Sequence, residues 1–210
     1  YNKYKNLCKY YELKSISTAD ELISNMQTIF DELGVPKKLS QFGIYQNDKN
    51  RRVKLYVHYP FCVRLCHFCH CHVMISRNKK RIDSFLDTLL KEVDMLREFF
   101  EKNSLEPNFK DIHLGGGSPS YLDEEGFGLL IDKLGSLLDI KNIVEFSMEV
   151  DPRTVTPDKI CHYSEKGINR LSFGIQDFSP AVQKAIDRVQ PLEDVEALVS
   201  HDIRKRIKSI

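Results

Sequence analysis

Cys62, Cys66, Cys69 and Cys71 fall within ten residues, directly after the apolar run Tyr56-Val57-His58-Tyr59-Pro60-Phe61. The first three are spaced C-x3-C-x2-C. Thiolates are the soft ligands that iron-sulfur clusters take, and three of them on one short loop can each hold one corner of a four-iron cube. A fourth iron is then left open to another molecule.

Structural zinc is the plain alternative, because His58, His67, His70 and His72 surround the thiols and Cys/His mixtures suit that ion. The spacing argues against it: zinc cages usually draw two ligand pairs from separated segments, whereas here the thiols share one loop and Cys8 and Cys161 stand apart. A disulfide framework fits less well. The chain has no apolar signal segment and concentrates its thiols in one place, which points to a reducing cytoplasm.

The 210 residues carry 41% hydrophobic content, enough for one core of ordinary domain size. The formal net charge of +1 removes the electrostatic case for nucleic acid or a membrane surface as the main partner. No apolar run approaches the roughly 20 residues that cross a bilayer. Opening on Tyr1 and stopping at Ile210 in a basic, helix-like stretch, the chain is expected to be a piece of a longer, soluble polypeptide.

The elements that must position the thiols follow from periodicity. Residues 1–50 form a lead-in with one amphipathic helix, marked by the capping-box pair Thr18 and Glu21 and by Leu22, Ile23, Met26, Ile29, Phe30 and Leu33. Asn47-Asp48-Lys49-Asn50 is the expected boundary, and residues 51–210 form the core. There strand and helix alternate. Strands are expected at 54–58, 111–114, 144–150 and 171–176. Helices are expected at 84–102 and 123–138, after the Thr156-Pro157 start and before Gly167, and after Ser179-Pro180. Four strand-then-helix units predict a parallel α/β sheet with right-handed crossovers.

In such sheets ligands bind at the carboxyl ends of the strands. The cysteine loop follows the first strand, Gly115-Gly116-Gly117-Ser118-Pro119-Ser120 the second, Glu149-Val150-Asp151-Pro152 the third and Gln176-Asp177 the fourth. All four signatures therefore share one rim. Glycines let a ligand approach the backbone, although by itself such a run is more often a tight strand-to-helix turn. It matches neither the dinucleotide fingerprint nor the phosphate loop. Glu149 is the acid best placed for the site, Gln176 offers an amide for hydroxyls, and Arg188 offers a fork for a carboxylate. Taken singly, each is an ordinary surface residue.

The cysteine run and its preceding Tyr56 to Phe61 resemble the cluster loop of the radical S-adenosylmethionine (SAM) enzymes. Phe68 and Cys71, with the blocks Ser147 to Arg153, Gly167 to Phe178 and Val182 to Gln190, resemble the oxygen-independent coproporphyrinogen III oxidase family over about residues 54–200. The resemblance implies a radical-SAM partial (β/α) barrel, truncated after about four βα units. It implies a 4Fe-4S cluster on Cys62, Cys66 and Cys69. Tyr56, Phe68, Gly116, Gly117, Ser118, Glu149, Gln176 and Arg188 match positions that contact SAM, some of them a second SAM molecule. Cys71 matches an extra cysteine near the cluster, expected to serve catalysis.

The implied reaction is decarboxylation of coproporphyrinogen III propionates to protoporphyrinogen IX. In it a deoxyadenosyl radical made from SAM abstracts hydrogen, and a low-potential donor supplies the electron. A cytoplasmic monomer is expected, with a porphyrinogen as its substrate. Two departures bear on this. An Arg-Tyr-Thr-Ser-Tyr-Pro type segment, usual upstream of the cluster loop, has no counterpart in residues 1–50, where the nearest aromatic stretch is Gln41 to Tyr45. The last barrel strands and the carboxyl-terminal domain of the family are also missing. The alternatives are a radical SAM relative serving heme trafficking or radical methyl transfer, and a non-catalytic zinc module. Cys71 argues against the trafficking relatives, which usually lack it.

Overall fold

The computed structural model describes residues 52–210. The expected helix at 18–33 and the lead-in that carries it lie outside the described residues.

The chain enters along β1 (Arg52–Tyr59), followed by a short pair, β2 (Phe61–Cys62) and β3 (Met74–Ile75). With β4 (Asn108–Gly116), β5 (Glu145–Val150) and β6 (Arg170–Phe173), β1 forms one four-stranded sheet in the order β1-β4-β5-β6. Every pairing is parallel. Between these strands lie α1 (Lys79–Lys102), α2 (Glu124–Gly135) and α3 (Pro157–Glu165). After β6 come three short helices, α4 (Pro180–Ala185), α5 (Leu192–Leu198) and α6 (His201–Arg206). The chain then returns to the start of β6, where Ser209 bridges Arg170 in parallel.

The register sorts the strand residues into two faces, because successive side chains of a strand point to opposite sides. Leu55, Ile112 and Phe146 stand in one row, and Val57, Leu114, Met148 and Leu171 in the next. These face the helices. They join Leu86 and Val93 of α1, Phe127, Leu130 and Leu134 of α2, and Ile160 and Tyr163 of α3 in one core. The opposite face carries the row Tyr56, His113, Ser147 and Arg170, with His58, Gly115, Glu149 and Ser172 closer to the carboxyl edge. The sheet is thus apolar against the helices and polar on the face that carries the rim residues.

The four expected strands and four expected helices of the core are present, with ends that differ for local reasons, and α5 and α6 are additional to them. Helix α1 begins five residues before the expected Ser84, because the Asn78 side chain accepts from the Arg81 N–H and caps a polar, exposed first turn that has no apolar periodicity. Asp123 likewise caps α2, accepting from the Gly126 N–H. Thr156 caps α3 ahead of Pro157, as the sequence indicates, and Gly167 leaves that helix at φ +103°. The last strand ends at Phe173, so Gln176 lies beyond the sheet at φ +72°, a left-handed conformation uncommon for a residue with a side chain. The parallel pair β2 and β3 escapes pattern reading because two-residue strands have no period. This pair closes the base of the cysteine loop.

Candidate active site

The cysteine loop leaves β2 at Cys62 and returns at β3. Its base is fixed by Met74 N–H donating to Pro60 O at 2.8 Å and Ser76 N–H to Cys62 O at 3.2 Å. Its far side is fixed by the end of α4 and the segment after it. There His67 N–H donates to Ile186 O at 3.0 Å, the His67 ring Nδ1 meets Ala185 O at 2.9 Å, and Arg64 pairs with Asp187 at 2.9 Å. Asp187 holds φ +53°, which turns the chain so that the next residue, Arg188, points inward. Strand one and the end of the fourth unit thus meet at the loop, although 118 residues separate His67 from Ala185.

Cys66 is buried, Cys62 and Cys69 are half-buried and Cys71 is exposed. Cys66 Sγ receives Arg188 Nη1 at 3.4 Å and Arg153 Nη2 at 3.6 Å. Burial pushes the Cys62 thiol up to about 11, with further contributions from the negative charge of Cys69, Asp151, Cys66 and Cys71. Burial also raises the Cys71 thiol, followed by the charge of Cys69, a hydrogen bond that the Cys71 thiol donates to Cys69 and the charge of Glu149. Thiols crowded in this way resist becoming anions together unless a multivalent cation takes the place of their protons. A polynuclear iron centre on Cys62, Cys66 and Cys69 fits that donor set. Among the described residues, no three His, Cys, Asp or Glu side chains converge as a ready cage for a single ion.

Glu149 lies near the end of β5 on the polar face. One carboxylate oxygen accepts the Gly116 N–H at 3.1 Å, and the other lies 3.3 Å from His113 Nε2, whose Nδ1 is 2.8 Å from Ser147 Oγ. The Glu149 side chain keeps 45% exposure, so its remaining lone pairs face open space. Tyr56 stacks on His113 at 5.8 Å between ring centroids, and its hydroxyl meets His58 Nδ1 at 3.1 Å. Burial raises the Tyr56 hydroxyl, and the charges of Glu149 and Cys71 add to it, so these three groups share one neighbourhood.

Space around the glycines is already used by the chain itself. A Cβ at Gly116 would sit 2.6 Å from the His58 ring, and one at Gly117 2.5 Å from Pro60 O. Gly116 also holds φ +114°. Here the glycines serve first to let the end of β4 lie against β1 and the loop base, an approach sealed by Gly117 N–H donating to Tyr59 O at 2.8 Å. Ser118 is buried, with its Oγ 3.3 Å from Ser120 Oγ. Ser120 Oγ lies 2.7 Å from Thr154 Oγ1 and accepts the Asp151 N–H at 3.1 Å, so this hydroxyl chain sets Asp151.

Arg188 is 7% exposed and its fork is engaged, with Nε donating to Gly174 O at 2.9 Å and Nη2 3.1 Å from Asp151. Phe68 on the cysteine loop and Gln176 beyond β6 are exposed at the rim. The structure therefore brings Tyr56, Glu149 and Cys71 together on the polar face, and sets Cys66 and Arg188 in a second, buried cluster. Four members of these clusters were given no role of their own by the sequence: His113, which lies in no motif, and Ser147, Asp151 and Arg153, which lie within the Ser147 to Arg153 block. His113 was within reach of strand alternation, which puts it on the Tyr56 face; Asp151 and Arg153 were not, because their contacts cross from β5 to the loop. Gln183 and Gln190 also escape pattern reading. They are buried and bonded to each other, with Gln190 Nε2 on Ile175 O, and they hold the turn that carries Arg188. A separate open groove of about 690 Å³ lies at the other end of the sheet, beside Phe100, Leu105, Lys110 and Leu138.

A parallel βα sheet whose carboxyl rim gathers a three-cysteine loop, a glycine run and a strand-end acid defines the radical SAM class. The radical SAM superfamily profile matches residues 56–208, and the chain belongs to that superfamily. Its cofactors are accordingly a 4Fe-4S cluster and SAM. Within the superfamily, the chain is 36% identical over 151 residues to the oxygen-independent coproporphyrinogen III oxidase of Salmonella typhimurium, covering 72% of this chain and 32% of that protein. It is 37% identical over 147 residues to the anaerobic coproporphyrinogen III oxidase 1 of Cereibacter sphaeroides, covering 70% of this chain and 32% of that protein. The solved coproporphyrinogen III oxidase (HemN) of Escherichia coli, described as a radical SAM enzyme, superposes with a TM-score of 0.66 at 35% identity, over 75% of this chain and 35% of that one. The chain spans about a third of the length of these relatives.

Proposed function

We propose that the chain is the cluster- and SAM-binding part of an oxygen-independent coproporphyrinogen III oxidase, which converts propionate side chains of coproporphyrinogen III to the vinyl groups of protoporphyrinogen IX. The observation that carries the reading is the gathering of Cys62, Cys66 and Cys69 on one loop at the sheet edge that also presents Glu149 and Gly116. Relatives at 36% and 37% identity, named as an oxygen-independent and an anaerobic coproporphyrinogen III oxidase, support the substrate. When bound, the cluster and SAM supply the radical that removes hydrogen from the substrate.

The chain's own residues bind, orient and shield. In this reading Cys62, Cys66 and Cys69 hold iron. Glu149, oriented by the Gly116 N–H and His113, accepts from an amine or hydroxyl of SAM. Tyr56, Phe68 and Gln176 line the open side, Gly116, Gly117 and Ser118 shape its floor, and Arg188 borders it behind Cys66. Cys71, exposed beside Tyr56 and Glu149, is placed to act on the substrate side of the loop. A low-potential donor supplies the electron.

The test is anaerobic reconstitution of the longer parent protein with iron and sulfide, followed by joint assay of deoxyadenosine and porphyrin. Both products are expected. Deoxyadenosine without any change in the propionates would reject the substrate and favour a relative with another task; stoichiometric zinc without sulfide would reject the cluster.

A further inference from the structure

Arg153 and Arg188 come from different units, one in the turn after β5 and the other after α4, yet both end on Cys66 Sγ, at 3.6 and 3.4 Å. Asp151 binds the two together: Arg153 Nη2 lies 2.7 Å and Arg188 Nη2 3.1 Å from its carboxylate. The side chains of Asp151 and Arg188 are 13% and 9% exposed, so solvent screens the group weakly. Two guanidiniums and one carboxylate leave a net positive charge against a single sulfur.

We propose that Arg153 and Arg188, locked by Asp151, form a cationic bracket on Cys66 that raises the reduction potential of the cluster. Reduction adds one negative charge to the cluster and its thiolates. N–H groups aimed at a ligand sulfur, with positive charge behind them, stabilise the reduced state more than the oxidised one. Cys62 and Cys69 accept no such bond among the hydrogen bonds of the described residues, so the field is one-sided and bears on the buried corner. These are positioning and tuning residues and need no contact with substrate. The proposal rests on Cys66 as a ligand, which loss of the cluster in Cys66→Ala tests separately, and it is independent of the substrate.

The experiment is an anaerobic redox titration of the reconstituted protein, followed by electron paramagnetic resonance. In Arg153→Met the ratio of reduced to oxidised cluster at a fixed ambient potential should fall about tenfold, a downward midpoint shift of about 59 mV for a one-electron couple. Arg153→Lys keeps the charge and loses the fork, and should fall about threefold. Lys184→Met removes an exposed charge from the neighbouring helix α4 and should change the ratio less than about twofold. An unchanged midpoint in both Arg153 variants overturns the proposal, as does an equal fall in Lys184→Met. If Arg153→Met assembles no cluster, Arg153→Lys decides alone: a fall supports the bracket and no change overturns it.

Discussion

Replacing Asp151 by Asn should be the most damaging single change outside the hydrophobic core. The carboxylate accepts four N–H donors: the Arg153 backbone N–H at 3.0 Å, Arg153 Nε at 3.0 Å, Arg153 Nη2 at 2.7 Å and Arg188 Nη2 at 3.1 Å. With this side chain 13% exposed, the interaction behaves as a buried ion group rather than a surface pair. Removing one partner of such a group costs about 3–5 kcal/mol, because the opposite charges stay buried and uncompensated. At about 2–4 °C per kcal/mol for a domain of this size, the melting temperature should drop by roughly 6 to 20 °C. Urea unfolding followed by circular dichroism, on wild type and variant of equal iron content, measures it. A loss below about 1 kcal/mol would place Asp151 with ordinary surface pairs and refute the argument. The sign with pH is also fixed. Burial acts to raise the Asp151 carboxyl, but the Arg153 hydrogen bonds and the charges of Arg188 and Arg153 overcome it and hold it below the usual carboxylate range. Its stabilisation is therefore complete above the unfolded value of about 3.9 and is lost as the pH falls through the lower folded value. That fall should be shallower in the Asn variant.

Cys62→Ala, Cys66→Ala and Cys69→Ala should each abolish the broad brown absorbance of the reconstituted protein, while Cys161→Ala keeps it; Cys71→Ala should keep the cluster and impair turnover. Glu149→Ala should weaken SAM binding about tenfold, measured by equilibrium dialysis, since a charge-assisted hydrogen bond contributes roughly 1.5–3 kcal/mol. Lys184→Ala serves as the control and should leave SAM binding unchanged. A methyl at Gly128, in α2, would meet nothing within 4 Å, so Gly128→Ala should stabilise by about 0.5–1 kcal/mol in the same unfolding assay. Gly116→Ala should do the reverse, because its φ of +114° is strained for alanine and the methyl would meet the His58 ring at 2.6 Å.

The sequence by itself determined the cysteine spacing, the alternation of strand and helix, and hence the parallel sheet with its chemistry on one rim. These are local properties: ligand spacing along a loop, period two in strands, period 3.6 in helices, and the cap at Thr156 ahead of Pro157. Only the tertiary structure decided which partners meet across the units. Arg188 looked free to grip a carboxylate in the sequence, and its guanidinium is instead held by Asp151, Gly174 O and Cys66. The glycine run looked open to a ligand, and His58 and Pro60 fill the space beside Gly116 and Gly117. His113 carries no motif, yet register aligns it with Tyr56 and Ser147 and sets it against Glu149. The reason is physical: periodicity fixes the face on which a side chain stands, whereas its partner depends on strand order, register and the return of distant chain, which no short stretch of sequence encodes.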